Sequence, residues 1–402
     1  MMEWKKYTVE QLIDLDMLEA PMDGNHGSIH PKASDYVLAG VPFIMVNDMS
    51  NGHVDLKNCA FISGKQAATL RKGFAKPGDV LLSHKATIGR TAIVPNDFDT
   101  IILTPQITYY RIKKGIDNRF LKYYFDSPNF QMLFNNWADS GSTRAYLGIT
   151  AQKKLPIILP ELDEQIKIAD ILSGFDKKID KNNEINNNLE QQARAIFINE
   201  FLSLTTLPDG WKQASLIDIA DYLNGLAMQK YRPTDDEIGI SVLKIKELRQ
   251  GCCDNNSELC SPNIKSEYII HDGDVIFSWS GSLLVDFWCG GICGLNQHLF
   301  KVTSSKYNKW FYYAWTKHHL DYFISVAADK ATTMGHIKRD ELAKAEVFIP
   351  NESDYSRIGA LLQPIYDLII SNRIENKKLA SLRDTVLSKL MSGELDVSNL
   401  DI

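Results

Sequence analysis

Two short runs that combine an acidic residue with lysine come nearest to a catalytic pattern in this sequence. A restriction-nuclease core needs an acidic residue followed, at some distance, by Glu or Asp, any residue and Lys. Asp176-Lys177-Lys178 and Glu375-Asn376-Lys377 match the second half of that pattern. Both runs lie in long helix-forming stretches, where such charges are typical of a solvated face. The sequence contains no Walker A motif, no Gly-x-Gly-x-x-Gly and no Asn-Pro-Pro-Tyr-type methyltransferase motif, so we expect no catalytic activity from this chain.

Six cysteines raise the question of a disulfide framework or a metal site. Five of them lie in the second half of the chain, so they do not form a framework shared by the two halves. Cys289-x3-Cys293, with His298 nearby, offers part of a zinc pattern, but neither Cys-x-x-Cys nor a second paired cluster is present. We therefore predict buried free thiols, no bound metal and a reducing compartment.

Hydrogen-bonding side chains are concentrated in polar loops. In the first half, residues 23–32 contain two glycines, a proline and two histidines, which indicates a loop. A second polar loop, 83–90, follows a predicted apolar strand over 80–82, and a third lies at 140–144. The other elements predicted for this half are helices over 9–15 and 118–137 and strands over 41–47, 91–94, 107–111 and 155–159.

A long helix over 160–202 is the element around which the rest of the chain is arranged. Steps of four and three residues give a heptad seam with apolar residues at a and d, interrupted by two asparagines. Its positions are Ile168, Leu172, Phe175, Ile179, Asn182, Asn186, Leu189, Ala193 and Ile196. The same steps recur 190 residues later, after Pro350, at Ile358, Leu362, Ile365, Ile369, Asn372, Asn376, Leu379, Arg383 and Val386.

This repeat predicts a chain built from two copies of one α/β (α+β) unit, each a globular part followed by a long helix. The segments are a first globular domain over 1–159, a helix and linker over 160–206, a second globular domain over 207–350, and a second helix with a short tail over 351–402. Pro77-Gly78-Asp79-Val80 corresponds to Asp272-Gly273-Asp274-Val275. The framework repeats while the loops diverge, so we expect two related binding pockets that recognise different ligand groups.

The two helices are expected to pair with each other as an antiparallel coiled coil. An asparagine in a seam sets register and orientation, because an amide opposite leucine would be buried without a partner. Antiparallel pairing places Asn182 near Asn376 and Asn186 near Asn372; parallel pairing matches them equally well. The short linker between Leu202 and Trp211 favours the antiparallel arrangement, with a pseudo-two-fold axis. The alternative is that each helix packs on its own globular part.

The length of the seam suggests a spacing function. From Ile168 to Ile196 the helix rises roughly 42 Å, at 1.5 Å per residue. One turn of B-DNA separates half-site centres by about 34–36 Å. A spacer of that size holding two modules with polar loops suits a reader of a split DNA site.

The net charge of −6 does not by itself predict a nucleic-acid binder. Residues 1–159 carry 18 Lys and Arg against 15 Asp and Glu, which gives +3, whereas the remaining residues are acidic. Affinity for DNA must therefore come from local basic loops or from a partner. No apolar run is long enough for a membrane span, and the first residues lack the apolar core of a signal peptide, so we expect a cytoplasmic protein.

Several stretches resemble the specificity subunits of type I restriction–modification systems. Residues 159–173, Leu-Pro-Glu-Leu-Asp-Glu-Gln-Ile-Lys-Ile-Ala-Asp-Ile-Leu-Ser, are similar to the conserved helix of that family, as are residues 382–395. Residues 207–212 resemble the start of a target-recognition domain, and residues 273–282 and 295–302 resemble its middle. Residues 83–87 replace the Ser-Trp-Ser-Gly-Ser of the second half with Ser-His-Lys-Ala-Thr, which we interpret as a different specificity.

The resemblance implies a non-catalytic subunit with two target-recognition domains, each reading one half of a bipartite sequence in double-stranded DNA. It also implies that the helices recruit two adenine-N6 methyltransferase subunits and, through them, restriction subunits. This chain would bind no cofactor of its own. S-adenosylmethionine would belong to the partner methyltransferase, and ATP and Mg²⁺ to the partner restriction subunit.

Contact with DNA needs donors and acceptors on loops, together with Lys or Arg for the phosphates. The predicted contacts of the first domain are His26, His30, Lys32, His84, Lys85, Thr87, Arg90, Ser142, Thr143 and Arg144. Those of the second are Trp279, Ser280, Ser282, Asn296, Gln297, Lys330, Thr332, Thr333, His336 and Lys338. For each single residue a turn or a core polar role is the alternative, and Trp279 suits the core equally well. At the level of the whole chain, the alternatives are a stand-alone DNA-binding regulator, an interaction scaffold, or an enzyme active by itself.

Overall fold

The computed structural model describes residues 4–138, 145–329, 337 and 339–397. It divides into two compact units. Unit 1 consists of Met1–Lys177 together with Ser381–Ile402, and unit 2 consists of Lys178–Ala380. Each long helix therefore contributes residues to both units.

Unit 1 contains a four-stranded antiparallel sheet, in the order β10-β9-β12-β2, and a five-stranded sheet, in the order β3-β7-β4-β11-β8. In the second sheet only the β4–β11 pair is parallel. The elements are β1 Lys5–Thr8, α1 Val9–Asp14, β2 Met22–Asp23, β3 Tyr36–Val37, β4 Val41–Ile44, β5 Met49–Ser50, β6 His53–Val54, β7 Ala60–Ile62, α2 Gly64–Thr69, β8 Phe74–Ala75, β9 Val80–Ser83, β10 Thr91–Ile93, β11 Ile101–Leu103, β12 Ile107–Tyr110, α3 Asn118–Asp126, α4 Pro128–Ala138, α5 Ile149–Gln152, β13 Pro156–Leu159 and the start of α6 Leu162–Phe197.

Unit 2 repeats this arrangement, with a sheet in the order β20-β19-β22-β15 and another in the order β17-β16-β21-β18, where β16 and β21 are parallel. The π-helical turn Ile198–Leu202 follows α6. The other elements are β14 Lys212–Ser215, α7 Leu216–Ile219, β15 Asp221–Asn224, β16 Ile240–Leu243, α8 Ile245–Gln250, β17 Leu259–Cys260, β18 Ile269–Ile270, β19 Val275–Ser278, β20 Leu284–Phe287, β21 Cys293–Leu295, β22 Leu299–Thr303, α9 Lys309–His318, α10 Leu320–Asp329, α11 Arg339–Lys344, β23 Glu346–Ile349 and α12 Glu352–Met391.

Two predicted elements differ from the structure for local reasons. The helix predicted over 118–137 is two helices, because Ser127 precedes Pro128 and adopts an extended conformation with ψ 141°. The strand predicted over 41–47 ends at Ile44, and a 3₁₀ turn follows in which the Met45 N–H donates to the Asp48 carboxylate at 2.7 Å. The divided units also show that the last helix completes unit 1.

Aromatic side chains fill the core of each unit. In unit 1, Phe120, Phe125 and Phe134 are buried together with Leu387 and Leu390 of α12. In unit 2, Phe201 of the π-helical turn packs on Trp315, with ring centroids 5.3 Å apart, and on Trp211. Within the described ranges, no helix has the length and apolar composition needed to cross a membrane.

Polar side chains join α6 and α12 inside each unit. In unit 2 the Asn182 amide donates to Asn376 (2.8 Å) and the Asn372 amide donates to Asn186 (2.9 Å). In unit 1, Arg383 pairs with Asp176 at 2.7 Å. Although burial of Asp176 favours its neutral form, Lys122, Tyr123 and Arg383 keep the pKa of this carboxyl below its usual value.

We predict that Phe201→Ala lowers the free energy of unfolding of unit 2 by about 3–5 kcal/mol, because the fully buried ring would leave a cavity. Urea denaturation followed by tryptophan fluorescence measures this, since five of the seven tryptophans lie in unit 2. Ile198→Ala, in the same turn but 40% exposed, is the control and should cost less than about 1 kcal/mol. Equal losses in the two variants would contradict the assignment of Phe201 to the core.

Candidate nucleic-acid interface

The register of the four-stranded sheet identifies equivalent positions in the two units. In unit 1, Leu82, Thr108 and Asp23 lie side by side on β9, β12 and β2. In unit 2, Phe277, Phe300 and Asn224 lie side by side on β19, β22 and β15. Asp23 is therefore equivalent to Asn224. Counting two residues along the central strand makes His84 equivalent to Trp279.

A glycine follows this edge position in both units and lies against the turn that connects the two sheets. A Cβ atom on Gly24 would be 2.0 Å from the Leu103 carbonyl oxygen, and one on Gly225 would be 2.2 Å from the Asn296 carbonyl oxygen. These distances leave room only for hydrogen. The end of the edge strand is thus held against the same turn in each unit, with the polar loops beside it.

In unit 1 the edge strand ends in a cluster of charged groups. The Asp23 carboxylate, 9% exposed, accepts hydrogen bonds from His26 Nε2 at 2.8 Å and from Lys72 Nζ. Burial of Asp23 favours its neutral form, but the hydrogen bonds from Lys72 and His26 lower its pKa below the usual value. Asn25 holds the neighbouring segment, because its side-chain oxygen accepts from the N–H groups of Arg71 (2.9 Å) and Lys72 (3.2 Å).

The predicted contact His84 lies in the interior, with no exposed surface. Its Nδ1 is 3.0 Å from the Leu147 carbonyl oxygen, so it carries the hydrogen and donates. Its Nε2 is buried without a hydrogen-bond partner among the described residues. Burial lowers the pKa of His84 to about 4, against the opposing effect of Asp23, so the ring is neutral. His84 supports the loop, and its burial leaves it no surface to offer a ligand.

The other described contacts predicted for unit 1 differ from His84 in exposure and in their hydrogen-bond partners. Lys85 and Thr87 are exposed on the loop after β9, and Lys32 is exposed at the start of a 3₁₀ turn. The Arg90 guanidinium donates to the carbonyl oxygens of Val46 and Met49, at 3.1 Å each, and so fixes the loop to the β5–β6 hairpin. His30 is partly buried beside Phe43, with 5.5 Å between ring centroids.

Unit 2 presents neutral groups at the equivalent edge. Trp279 Nε1 donates to the Asn224 side-chain oxygen at 3.0 Å, and the indole stacks on Phe300, with centroids 5.6 Å apart. Trp279 is partly buried, so it belongs both to the core and to the edge. The loop after it is held by Ser278, whose hydroxyl donates to the Ser282 carbonyl oxygen at 2.9 Å.

Three further predicted contacts of unit 2, Ser280, Asn296 and Gln297, cluster around His298. Ser280 Oγ is 3.3 Å from His298 Nδ1, and Gln297 Nε2 is 3.4 Å from His298 Nε2. Asn296 is buried, and its side-chain oxygen accepts from the His298 N–H at 3.2 Å. Ser282 is exposed. The turn and the loop are therefore brought together by one imidazole.

Eight predicted contacts lie outside the described residues: Ser142, Thr143, Arg144, Lys330, Thr332, Thr333, His336 and Lys338. The described residues next to these segments form backbone hydrogen bonds with the loops that follow β9 and β19. Ala145 accepts from the Ala86 N–H at 3.0 Å, and the Ile337 N–H donates to the Trp279 carbonyl oxygen at 3.1 Å.

Four residues of the site are absent from the sequence prediction: Asp23, Lys72, Asn224 and His298. A signal for two of them is present in the sequence, because Asp23-Gly24 and Asn224-Gly225 occupy the same place in the two repeats. Lys72 is brought in from a segment 49 positions away, so no local pattern reveals it.

The site suits hydrogen bonding more than metal chemistry. Within the part of the chain that the structure describes, no three His, Cys, Asp or Glu side chains are grouped closely enough to hold a metal ion. All six cysteines are free; Cys252 and Cys253 are partly exposed, and the other four are buried. Carboxylate, amide, imidazole and ammonium groups on a sheet edge can accept from and donate to a polar ligand.

The chain matches the family described as type I restriction modification DNA specificity domain over residues 1–191 and again over 208–382. It is 26% identical over 347 residues to the type I restriction enzyme MjaIX specificity subunit of Methanocaldococcus jannaschii, covering 80% of this chain and 79% of that one. It is 20% identical over 437 residues to the HindI specificity subunit of Haemophilus influenzae, covering 88% and 94%. In fold it is similar to the crystal structure of a type I restriction-modification S subunit from M. genitalium, with a TM-score of 0.55, 14% identity and 96% of each chain covered.

We predict that unit 1 loses stability as the pH falls from about 6.5 to about 4, in part because His84 must become charged. The unfolded chain binds this proton near pH 6.5 and the folded chain only near pH 4, so the contribution of His84 is complete above that range. His84→Phe should make the pH dependence of the melting temperature shallower across this interval. His53→Phe, at an exposed histidine, is the control. Identical pH profiles for His84→Phe and the unsubstituted chain would contradict a neutral, buried imidazole.

Proposed function

Because the chain belongs to the type I restriction modification DNA specificity domain family, we propose that it is the non-catalytic subunit that reads a bipartite DNA sequence. Each unit reads one half of the site. The observation that carries the proposal is the repeated sheet edge, which keeps its register in both units while the side chains change from Asp23 to Asn224 and from His84 to Trp279.

A repeated scaffold with different polar groups suits the recognition of two different half-sites. Sequence is read by donors, acceptors and apolar contacts at base edges, whereas Lys and Arg on the phosphates fix the position of the protein. Unit 1 carries an exposed imidazole and exposed lysines near its edge, and unit 2 carries an indole, hydroxyl and amide groups. The two edges therefore favour different bases.

The helices α6 and α12 are proposed to form an antiparallel coiled coil that sets the distance between the two half-sites. The contacts inside unit 2 support this, because the partner numbers fall as the first numbers rise: Lys178 contacts Glu375, Asn186 contacts Asn372, and Glu200 contacts Arg357. Paired asparagines favour one register over others. At 36 and 40 residues, the helices are long enough to span one turn of DNA.

Partner subunits are proposed to supply both the catalysis and much of the DNA affinity. The chain has a net charge of −6, so its own electrostatic attraction for DNA is weak. Apolar side chains are exposed on α12 at Leu361 (45%) and Leu368 (44%), which are seven residues apart and so lie on one face. We propose that two adenine-N6 methyltransferase subunits dock on such outer faces and that restriction subunits join through them. S-adenosylmethionine, ATP and Mg²⁺ then belong to the partners, and the complex acts in the cytoplasm.

We predict that the purified chain alone binds DNA weakly and that a co-expressed methyltransferase subunit strengthens binding to one specific sequence. Methylation mapping of a genome expressing both proteins should give a two-part motif with a fixed spacer, and competition binding on that motif should show the gain in affinity. DNA that carries the same two half-sites with a spacer of a different length is the control in the binding measurement.

Two results would count against this function. Equal specific affinity with and without the methyltransferase would favour a stand-alone regulator or a scaffold. Methylation or cleavage by the purified chain alone would favour an enzyme.

We predict that replacing Asn182 and Asn376 by Leu changes the register or oligomeric state more than it lowers stability, since burial of leucine offsets the lost amide contact. Light scattering, together with the spacer length in the methylated motif, measures this. Asn187→Leu, at an exposed position of the same helix, is the control. Unchanged association and spacer length in the double variant would refute a register role for these asparagines.

A further inference from the structure

From the equivalent edge positions we infer that Asp23 and Asn224 are the positioning residues that give the two units different specificities. This inference rests on the proposed function. Each of the two side chains lies at the end of the edge strand, at the same cross-strand register, and accepts a hydrogen bond from a ring nitrogen. The ring differs between the units. In unit 1 it belongs to His26, three residues after the edge position, and in unit 2 it belongs to Trp279, directly after the central strand β19.

In unit 1, Asp23 orients the imidazole of His26. The ionised carboxylate only accepts, so His26 Nε2, at 2.8 Å, carries the hydrogen. This leaves Nδ1 as the ring nitrogen that can bond a base, on a side chain that is 47% exposed. Base edges in the major groove present the donors and acceptors that an imidazole nitrogen can bond. Unit 1 thus reads one base of its half-site through His26.

The surroundings of Asp23 hold this geometry in place. Lys72 occupies the second carboxylate oxygen, and Asn25 fixes the Lys72 backbone. Gly73, with φ +80°, brings that segment close enough that a Cβ on it would be 2.8 Å from Gly24 Cα. Asp23 itself has little exposed surface, so it acts through His26.

In unit 2, Asn224 orients the indole of Trp279. The side-chain oxygen of Asn224 accepts from Nε1–H, the single donor of the ring, at 3.0 Å. The indole then offers carbon edges, and the exposed Asn224 amide retains its N–H donors. Thymine presents a methyl group and the O4 acceptor side by side in the major groove. This pair of groups therefore fits thymine.

The two units cannot exchange these arrangements. Three residues after the edge position, unit 1 has His26 and unit 2 has Ala227, which has no side-chain donor. After the central strand, unit 2 has the partly buried Trp279 and unit 1 has His84, which has no exposed surface. Each unit therefore uses one of two possible ring partners for the same anchor.

The test is methylation mapping with the full chain co-expressed with its methyltransferase, comparing Asp23→Asn, His26→Ala and Asn224→Ala. We expect Asp23→Asn and His26→Ala to relax one base position in one half of the motif, with about a tenfold loss of discrimination, and to leave the other half unchanged. Asn224→Ala should do the same in the other half only. The unaffected half is an internal control in every variant.

Lys65→Ala, which removes an exposed lysine outside the cluster, is the control and should relax no base position in either half. His26 is half-exposed, so His26→Ala still reports if Asp23→Asn does not fold, as judged by its melting temperature. If the variants leave both halves intact, or degrade both halves equally, the inference fails while the proposed function stands. If the unsubstituted complex gives no two-part motif, the proposed function fails, and this inference fails with it.

Discussion

The antiparallel register of the four-stranded sheet is the constraint on which the site in each unit depends. Because side chains alternate between the faces of a strand, a shift of one residue would turn every polar group at the edge away from its present position. Burial opposes such a shift, because β9, β12 and β19 are buried along their whole lengths. The close packing of Gly24 and Gly225 against a carbonyl oxygen then fixes where each edge strand ends. The loops can differ between the units because the sheet that supports them keeps the same register in both.

The sequence predicted the repeat, the long helices and most strands, because these follow from periodic apolar patterns and a 190-residue offset. The break at Pro128 follows from a local rule, since the residue before a proline disfavours the helical conformation, but the continuous aromatic-rich stretch over 118–137 favoured a single helix. The site was harder to predict. Burial of His84 depends on its contact with Leu147, 63 positions later, and Lys72 reaches Asp23 across 49 positions. Arg90, which was predicted as a DNA contact, also donates to two backbone carbonyl oxygens more than 40 positions earlier. The residue types and the loops of the site could be predicted from the sequence, whereas partners that are distant along the chain could not.

The helices combine two kinds of contact with different physical roles. Asparagine pairs such as Asn186 with Asn372 contribute little stability compared with apolar side chains, but they penalise other registers. Charged contacts such as Asp176 with Arg383 lie nearer the surface of the pair, where they also reach the globular part through Lys122 and Tyr123. Apolar seam positions supply most of the burial. The proposed spacer of fixed length would require both, because stability alone would allow the helices to slide.

The division of the chain into units has a consequence for biosynthesis. Unit 1 includes Met1–Lys177 but is completed by Ser381–Ile402, whereas unit 2 is one continuous stretch. Leu387, Leu390 and Val397 are buried in the core of unit 1. On the ribosome, the core of unit 1 is therefore completed only when the segment after Ser381 emerges, while unit 2 can fold in between. The half of the protein that is synthesised first is the half that matures last, and during that interval its unfilled apolar surface is open to chaperones or to premature association.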